Sequence, residues 1–234
     1  LVPRRQPQRS KISQLVSSLA APEMWVRRQA RRALQERPFD QREEIVAELD
    51  RWCAQIDPQD ILDKAVQKLG GVAYMDVKDI EAHGRYFQFQ RGELIGGDFF
   101  SDYVKFPDKE RTEFGEDRKT ARVNNGGEGW NVNDKEVDEQ LGEQIEVFWE
   151  EFKVSLDYLM RFVIGEEKTT LQYVGREIID FKRVDILEIR DEDRTRINLF
   201  IDRESGLLMK KTMRRLDDPA IHEEVYSNYH EIQN

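Results

Sequence analysis

Apolar residues recur at helical spacing near the start of the chain. Between Ile12 and Leu19 they lie at positions i, i+3, i+4 and i+7, which predicts an amphipathic helix. Two further stretches with this period follow, one ending before Pro38 and one starting at Asp40. The pattern therefore predicts a small N-terminal segment, residues 1–57, of three short amphipathic helices.

A fourth helix is predicted directly after this segment. Asp57 and Pro58 are typical start residues, and Gly70 and Gly71 are typical stop residues. Beyond it the apolar period changes from helical spacing to alternation, with turns rich in Gly, Asn, Asp and Pro. Five strands are predicted here: Ile80–Gln90, Glu93–Phe106, Lys109–Phe114, Thr120–Asn124 and Gly129–Val132.

Helical spacing returns between Asp134 and Phe162, where apolar residues step by three and four along the chain. The segment Arg183–Arg215 then reads as a meander of three strands, because Ile197, Leu199 and Ile201 alternate with polar neighbours. Further strands are predicted at 169–174, 177–181 and 223–232.

The order of elements predicts an α+β fold. Its main part, residues 58–234, is a curved antiparallel sheet of about ten or eleven strands, an incomplete β-barrel. So many antiparallel strands need a cover, since an uncovered apolar face is exposed to water. The helix at 134–162 is the natural cover for the concave face.

Charge divides the chain at about the same place. Residues 1–57 carry 11 basic and 8 acidic side chains, whereas the remainder carries 26 basic and 39 acidic ones. A net charge of −10 argues against a general nucleic-acid-binding protein, because phosphate contacts require a concentrated positive field. The arginines between 27 and 32 lack interleaved aromatic residues, and we interpret them as a solvated helix face.

No motif in the sequence indicates an enzyme. The single cysteine, Cys53, excludes an intrachain disulfide, and the three histidines are scattered. The sequence contains no HExxH or GxSxG motif and no phosphate-binding glycine loop. No apolar run approaches the roughly 20 residues of a membrane span. We therefore expect no catalytic residues, cofactor or metal.

Four segments carry a resemblance to a known family: ILDKAVQKLGGVAYMDVKDIEAHGRY, YVKFPDKERTEF, VNNGGEGW and INLFIDRESGLLMKK. Together they resemble the helix, glycine pair and hairpins of the LolA-like family of outer-membrane lipoprotein-sorting proteins, over residues 58–234. The helices of residues 1–57 lie outside that pattern and faintly resemble a HEAT-type repeat.

The resemblance implies a half-barrel with an apolar cavity beneath a lid helix. It implies a non-enzymatic carrier or sensor in the periplasm or another extracytoplasmic compartment, with any signal peptide outside this sequence. The implied partner is an acyl chain, a lipid or a lipidated protein, with a membrane-associated protein as a further candidate. Aromatic and aliphatic residues on one strand face and on the lid would line such a cavity: Phe87, Phe89, Phe100, Phe106, Trp130, Phe148, Phe152, Leu156 and Leu199. Arg85 and Arg111 are the candidates for anchoring an anionic headgroup.

One alternative stays open at this point. The same aromatic residues would also fit together as a solid core, as such stripes usually do. The chain would then be a protein-interaction or structural module, part of a larger chain, that contacts partners through its N-terminal helices and acidic sheet surface.

Overall fold

A computed structural model describes residues 11–19, 21, 24–53, 55–192, 195–215 and 220–231. Within these residues the chain forms helices and two antiparallel sheets, of six and five strands. Neither sheet closes on itself, so the eleven strands form an open half-barrel rather than a barrel. The predicted α+β class with an incomplete barrel is confirmed.

The helical elements lie before and between the sheets. They are α1 (Ile12–Ser18), α2 (Met24–Gln35), a 3₁₀ turn (Phe39–Gln41), α3 (Arg42–Cys53), α4 (Pro58–Leu69), α5 (Val72–Met75), α6 (Gly142–Val154), α7 (Leu156–Tyr158) and a π-helix (Leu159–Val163).

The strands of the six-stranded sheet follow one another in chain order. They are β1 (Asp79–Gln90), β2 (Glu93–Lys105), β3 (Lys109–Phe114), β4 (Thr120–Asn125), β5 (Glu128–Asn133) and β6 (Glu136–Glu139). The five-stranded sheet is also a meander, with β7 (Thr170–Ile179), β8 (Lys182–Arg190), β9 (Arg196–Asp202), β10 (Leu208–Arg214) and β11 (His222–Val225).

Helix α4 begins and ends as its sequence predicts. The Asp57 carboxylate accepts a hydrogen bond from the backbone N–H of Gln59 at 2.9 Å, and Pro58 occupies the first helical position. Gly70 ends the helix with a φ of 124°, a value that a residue with a Cβ rarely adopts.

The structure divides the helix that was predicted over 134–162. Its first residues form β6, and α6 starts only at Gly142. At Ser155 the backbone turns extended, with a ψ of 144°, and the chain continues into α7 and the π-helix. The buried Lys211 side chain donates to the carbonyl of Val154 at 2.5 Å, which satisfies the carbonyl that the break leaves open.

Two strand predictions also differ in extent. The strands predicted at 169–174 and 177–181 are one strand, β7, which bulges between Tyr173 and Gly175. The last predicted strand, 223–232, is formed only over His222–Val225, and its residue 232 lies outside the described residues.

The main hydrophobic core lies on one face of the five-stranded sheet. Its strand residues pack against α4 and the π-helix, and the cluster comprises Leu62, Ala65, Leu159, Met160, Val163, Tyr173, Leu187, Ile189, Ile197, Leu199, Ile201 and Leu208. Trp52 at the end of α3 packs against this core, with its ring 6.1 Å from that of Tyr173. The division at residue 57 stays a prediction.

A buried arginine connects the helices to the β2–β3 turn. Arg161 is 3% exposed at its side chain and donates to the carbonyl of Tyr74 at 2.6 Å and to the Asp157 carboxylate at 2.7 Å. Its guanidinium also lies 4.2 Å from the centre of the Tyr74 ring and 4.9 Å from that of Phe106. Arg161 therefore fixes the π-helix and α5 against the end of the six-stranded sheet.

Candidate functional site

The inner face of the six-stranded sheet is the face that meets α6. Asn124 on β4 points to this side, because its side-chain amide donates to Gln140, just before α6, at 2.9 Å. Gln140 in turn donates to the carbonyl of Trp130 at 3.2 Å. Neighbouring residues of a strand point to opposite faces. This contact therefore assigns each side chain of the sheet to its inner or its outer face.

A groove of about 290 Å³ lies between this inner face and α6. Its sheet wall includes Glu110, Arg122 and Asn124, and its helix wall includes Phe148 and Glu151. We call it the polar groove, because charged and amide side chains line most of it. Among the described residues, no helix is long and apolar enough to span a membrane, and no three or more His, Cys, Asp and Glu side chains are grouped so as to hold a metal ion.

Glu110 has an unusual protonation equilibrium in the polar groove. Burial raises the pKa of its carboxyl from 4.5 to about 7, and the negative charges of Asp102 and Glu151 act in the same direction. The positive charge of Arg122 opposes this shift. The groove therefore changes its charge near neutral pH.

Beyond the polar groove the inner face becomes aromatic. Phe100 and Phe114 are cross-strand partners on β2 and β3, and the ring of Tyr86 on β1 lies 6.3 Å from that of Phe114. Phe114 is four residues along β3 from Glu110, or about 13 Å at about 3.3 Å per residue. All three rings are partly exposed, Tyr86 by 37%. We call Tyr86, Phe100 and Phe114 the open aromatic face.

Two side chains shape this surface. The ring of Phe100 lies across Gly84, where an added Cβ would come within 2.5 Å of it, so only glycine leaves room for the ring there. The guanidinium of Arg122 lies 5.2 Å from the centre of the Phe114 ring. Arg122 thus stands at the boundary between the open aromatic face and the polar groove.

The aromatic residues under α6 are packed against one another. The Phe148 and Phe152 rings are 5.1 Å apart, and Phe152 also lies 5.1 Å from Tyr158 and 6.4 Å from Phe106. The indole N–H of Trp149 donates to the carbonyl of Gly126 at 3.0 Å, which fixes α6 to the β4–β5 turn. This part of the half-barrel is filled with side chains.

The structure separates the residues that the sequence suggested for a cavity. Phe100 lies on the open aromatic face and Phe148 in the polar groove, whereas Phe106 and Phe152 belong to the packed aromatic cluster. Leu156 packs against the main core and Leu199 is completely buried in it. Phe87, Phe89 and Trp130 belong to none of these groups, and neither do the proposed headgroup anchors Arg85 and Arg111.

Strand alternation places Trp130 and Phe87 on the outer face of the sheet, with Phe87 56% exposed. Phe89, 65% exposed, follows a bulge in β1. Arg85 stacks over Phe99 at 4.1 Å, and Arg111 pairs with Glu113 at 2.8 Å, both on the outer face. Their roles in binding a ligand stay predictions.

The sequence pattern did not indicate Tyr86, Phe114, Glu110 or Arg122 as site residues. A usable signal was present, because the predicted turn at Pro107-Asp108 sets the register of β2 and β3 and so pairs Phe100 with Phe114. The burial of Glu110 had no such signal, since it depends on where α6 lies.

No protein-family model matches the sequence, and no curated protein is significantly similar to it. Solved structures do resemble the fold. A DUF1329 family protein from Desulfovibrio piger is 15% identical, with 70% of this chain and 76% of that chain covered and a TM-score of 0.47. A LolA superfamily protein from Nitrosomonas europaea is 13% identical, with 76% and 80% covered and a TM-score of 0.45.

A third structure, a domain from Vibrio parahaemolyticus assigned to outer-membrane lipoprotein sorting, is 14% identical, with 75% and 80% covered and a TM-score of 0.49. The structural neighbours thus include members of the family that the sequence segments resemble.

Proposed function

We propose that this chain is a non-enzymatic, extracytoplasmic binding protein that holds the acyl chain of a lipid or lipidated protein on the inner face of its half-barrel. The observation that carries the proposal is the open aromatic face, three partly exposed rings that continue the inner face beyond α6. Apolar surface of this kind, bordered by polar residues, is typical of a binding site.

The site suits an amphipathic ligand rather than a purely apolar one. Each methylene group that leaves water for the aromatic surface contributes about 0.8 kcal/mol, so one long chain supports useful but reversible binding. Arg122, at the boundary with the polar groove, is placed to pair with an anionic headgroup. It replaces Arg85 and Arg111 as our first candidate anchor, because they lie on the outer face.

Two parts of the proposal rest on the sequence. The absence of catalytic motifs supports a binding protein rather than an enzyme. The LolA-like segments support an extracytoplasmic carrier.

A fluorescent fatty acid titrated into detergent-free protein tests the proposal. Phe114→Ala should weaken binding at least roughly tenfold, because one ring contributes about 1.5–3 kcal/mol when it is buried by a ligand. Phe87→Ala is the matched control, since it removes the same ring from the outer face and should leave the affinity within about twofold. Failure of the unaltered protein to bind, or equal losses in both variants, would contradict the proposal.

A second candidate function, a protein-interaction module, is favoured by the β1–β2 hairpin. Beyond the end of β3 the hairpin continues as a two-stranded ribbon, on which Phe87, Phe89, Leu94 and Ile95 are more than half exposed. If the fatty acid does not bind while Phe89→Ser abolishes a self-association seen by sedimentation, this second function replaces the first.

A further inference from the structure

The end of the five-stranded sheet holds several arginines around one carboxylate. Arg176 lies opposite Asp185 in the pairing of β7 and β8, and its Nε donates to the carboxylate at 2.9 Å. The Nε of Arg203, after β9, lies 3.3 Å from the other oxygen of Asp185. The hydroxyl of Tyr173 also donates to Asp185, at 3.0 Å. Asp185 is thus fully occupied by these partners.

One more arginine comes close to this group without a carboxylate of its own. Arg183 lies two residues before Asp185 on β8, so it points to the same face, and its carbonyl accepts the N–H of Arg203 at 2.9 Å. Within the part of the chain that the structure describes, Arg183 forms no ion pair with a carboxylate.

The three residues Arg176, Arg183 and Arg203 form what we call the arginine cluster. Their guanidinium groups outnumber the one carboxylate among them, that of Asp185. Trp52 on α3 stacks on Arg176, with 5.0 Å between the guanidinium and the ring centre, and so fixes one member in place.

We propose that the arginine cluster binds a phosphate group, held at the ends of β7, β8 and β9. Guanidinium groups match phosphate oxygens in geometry and form charge-assisted, often bidentate, hydrogen bonds with them. Three guanidinium groups beside one carboxylate leave positive charge that a multiply charged oxyanion neutralises. The phosphate belongs to a free anion or to a lipid headgroup, and the site is separate from the open aromatic face on the other sheet.

Calorimetric titration of inorganic pyrophosphate into the full chain, at fixed ionic strength, tests the site. The unaltered protein should bind it, and Arg183→Gln should weaken binding at least roughly fivefold. Arg32→Gln is the control, because Arg32 is an exposed arginine outside the cluster that pairs with Glu36 at 2.7 Å. Its affinity should stay within about twofold of the unaltered protein.

Thermal melting distinguishes a loss of pyrophosphate binding from a loss of stability of the variant. Without pyrophosphate, Arg183→Gln should melt at or above the temperature of the unaltered protein, because it removes like-charge repulsion. With pyrophosphate it should gain less stability than the unaltered protein. A lower melting temperature of the free variant would show that Arg183 serves the fold, and would overturn the proposal.

Vesicles distinguish the two sources of the phosphate. Cosedimentation with phosphatidylglycerol vesicles, but not with phosphatidylcholine vesicles, that is lost in Arg183→Gln supports a lipid headgroup. Pyrophosphate binding without any vesicle binding supports a free anion. Binding in neither arm, or equal losses in the Arg32→Gln control, overturns the proposal. Neither result bears on the binding of fatty acid, because that proposed site lies on the other sheet.

Discussion

The two sheets of this molecule differ in what covers them. The five-stranded sheet buries Leu187, Ile189 and Leu199 completely, beneath α4 and the π-helix. The six-stranded sheet has α6 over one end of its inner face only, and it keeps charged side chains and partly exposed rings on the rest. One sheet therefore holds the fold together, whereas the other leaves part of its inner face uncovered.

The contrast follows from the composition of the strands. In β8 and β9, aliphatic residues are direct cross-strand partners, for example Leu187 and Leu199. Helices with apolar stripes cover these residues. In β3 and β4, the inward positions carry Glu110, Thr112 and Arg122, which no dry core accepts. The sheet that stabilises the fold is thus not the sheet on which we propose that the acyl chain binds.

The largest effect should come from a truncation in the five-stranded sheet. Leu187→Ala should lower the free energy of unfolding by about 3–4 kcal/mol, since it removes a completely buried side chain. Phe114→Ala on the six-stranded sheet should lower it by less than about 1 kcal/mol, although it removes a larger group. Urea unfolding measures both, and similar losses would break the contrast between the sheets.

A buried lysine connects the two regions. Lys211 on β10 is 2% exposed, and its ammonium lies 2.5 Å from the carbonyl of Val154 in α6 and 2.7 Å from Glu224. Lys211→Met should cost about 2 kcal/mol of stability, because hydrogen bonds to a charged group are lost.

Lys210→Met is the matched control for this lysine, since Lys210 pairs with Glu223 at 3.1 Å near the surface. Its unfolding midpoint in urea should be almost unchanged. Equal shifts for the two variants would mean that the contact with α6 adds nothing.

A smaller, pH-dependent effect should come from Glu110. Folding raises the pKa of this carboxyl from 4.5 to about 7. Between pH 4.5 and pH 7 the carboxyl is therefore protonated in the folded chain and ionised in the unfolded chain. Stability should therefore fall as pH rises through this window. Glu110→Gln removes the charge and should stabilise the chain above pH 7 by about 1–2 kcal/mol, with little change near pH 4.5.

Melting curves across this pH range measure the effect. Glu136→Gln, on the exposed strand β6, should melt like the unaltered protein at every pH. If Glu110→Gln keeps the full pH dependence, the carboxyl is not buried in the polar groove as described.

The sequence predicted the elements closely, whereas its candidate site residues lie in several parts of the structure. Alternation at Ile197, Leu199 and Ile201 and the turn chemistry at Gly206 are local signals, and the meander forms where they indicate. The break at Ser155 had no local signal, and the contact that accompanies it joins Val154 to Lys211, 57 residues away.

For a related reason, the sequence could not assign the candidate site residues to the inner or the outer face of the sheet. Phe87 and Phe100 both look like inward aromatic residues in the sequence, but their faces are assigned only once β1 and β2 pair and α6 takes its place. The sequence predicts that Phe148 and Phe152 line a cavity; in the structure both rings pack against other rings, and Phe148 also lies in the wall of the polar groove. Such contacts between distant segments cannot be read from periodicity.

Hydrogen–deuterium exchange, with and without a saturating fatty acid, tests the central claim most directly. The ligand should slow exchange in peptides covering Phe100 on β2 and Phe114 on β3, and leave those of β8 and β9 unchanged. Slowed exchange in the five-stranded sheet, or none anywhere, would contradict the assignment of binding to the open aromatic face.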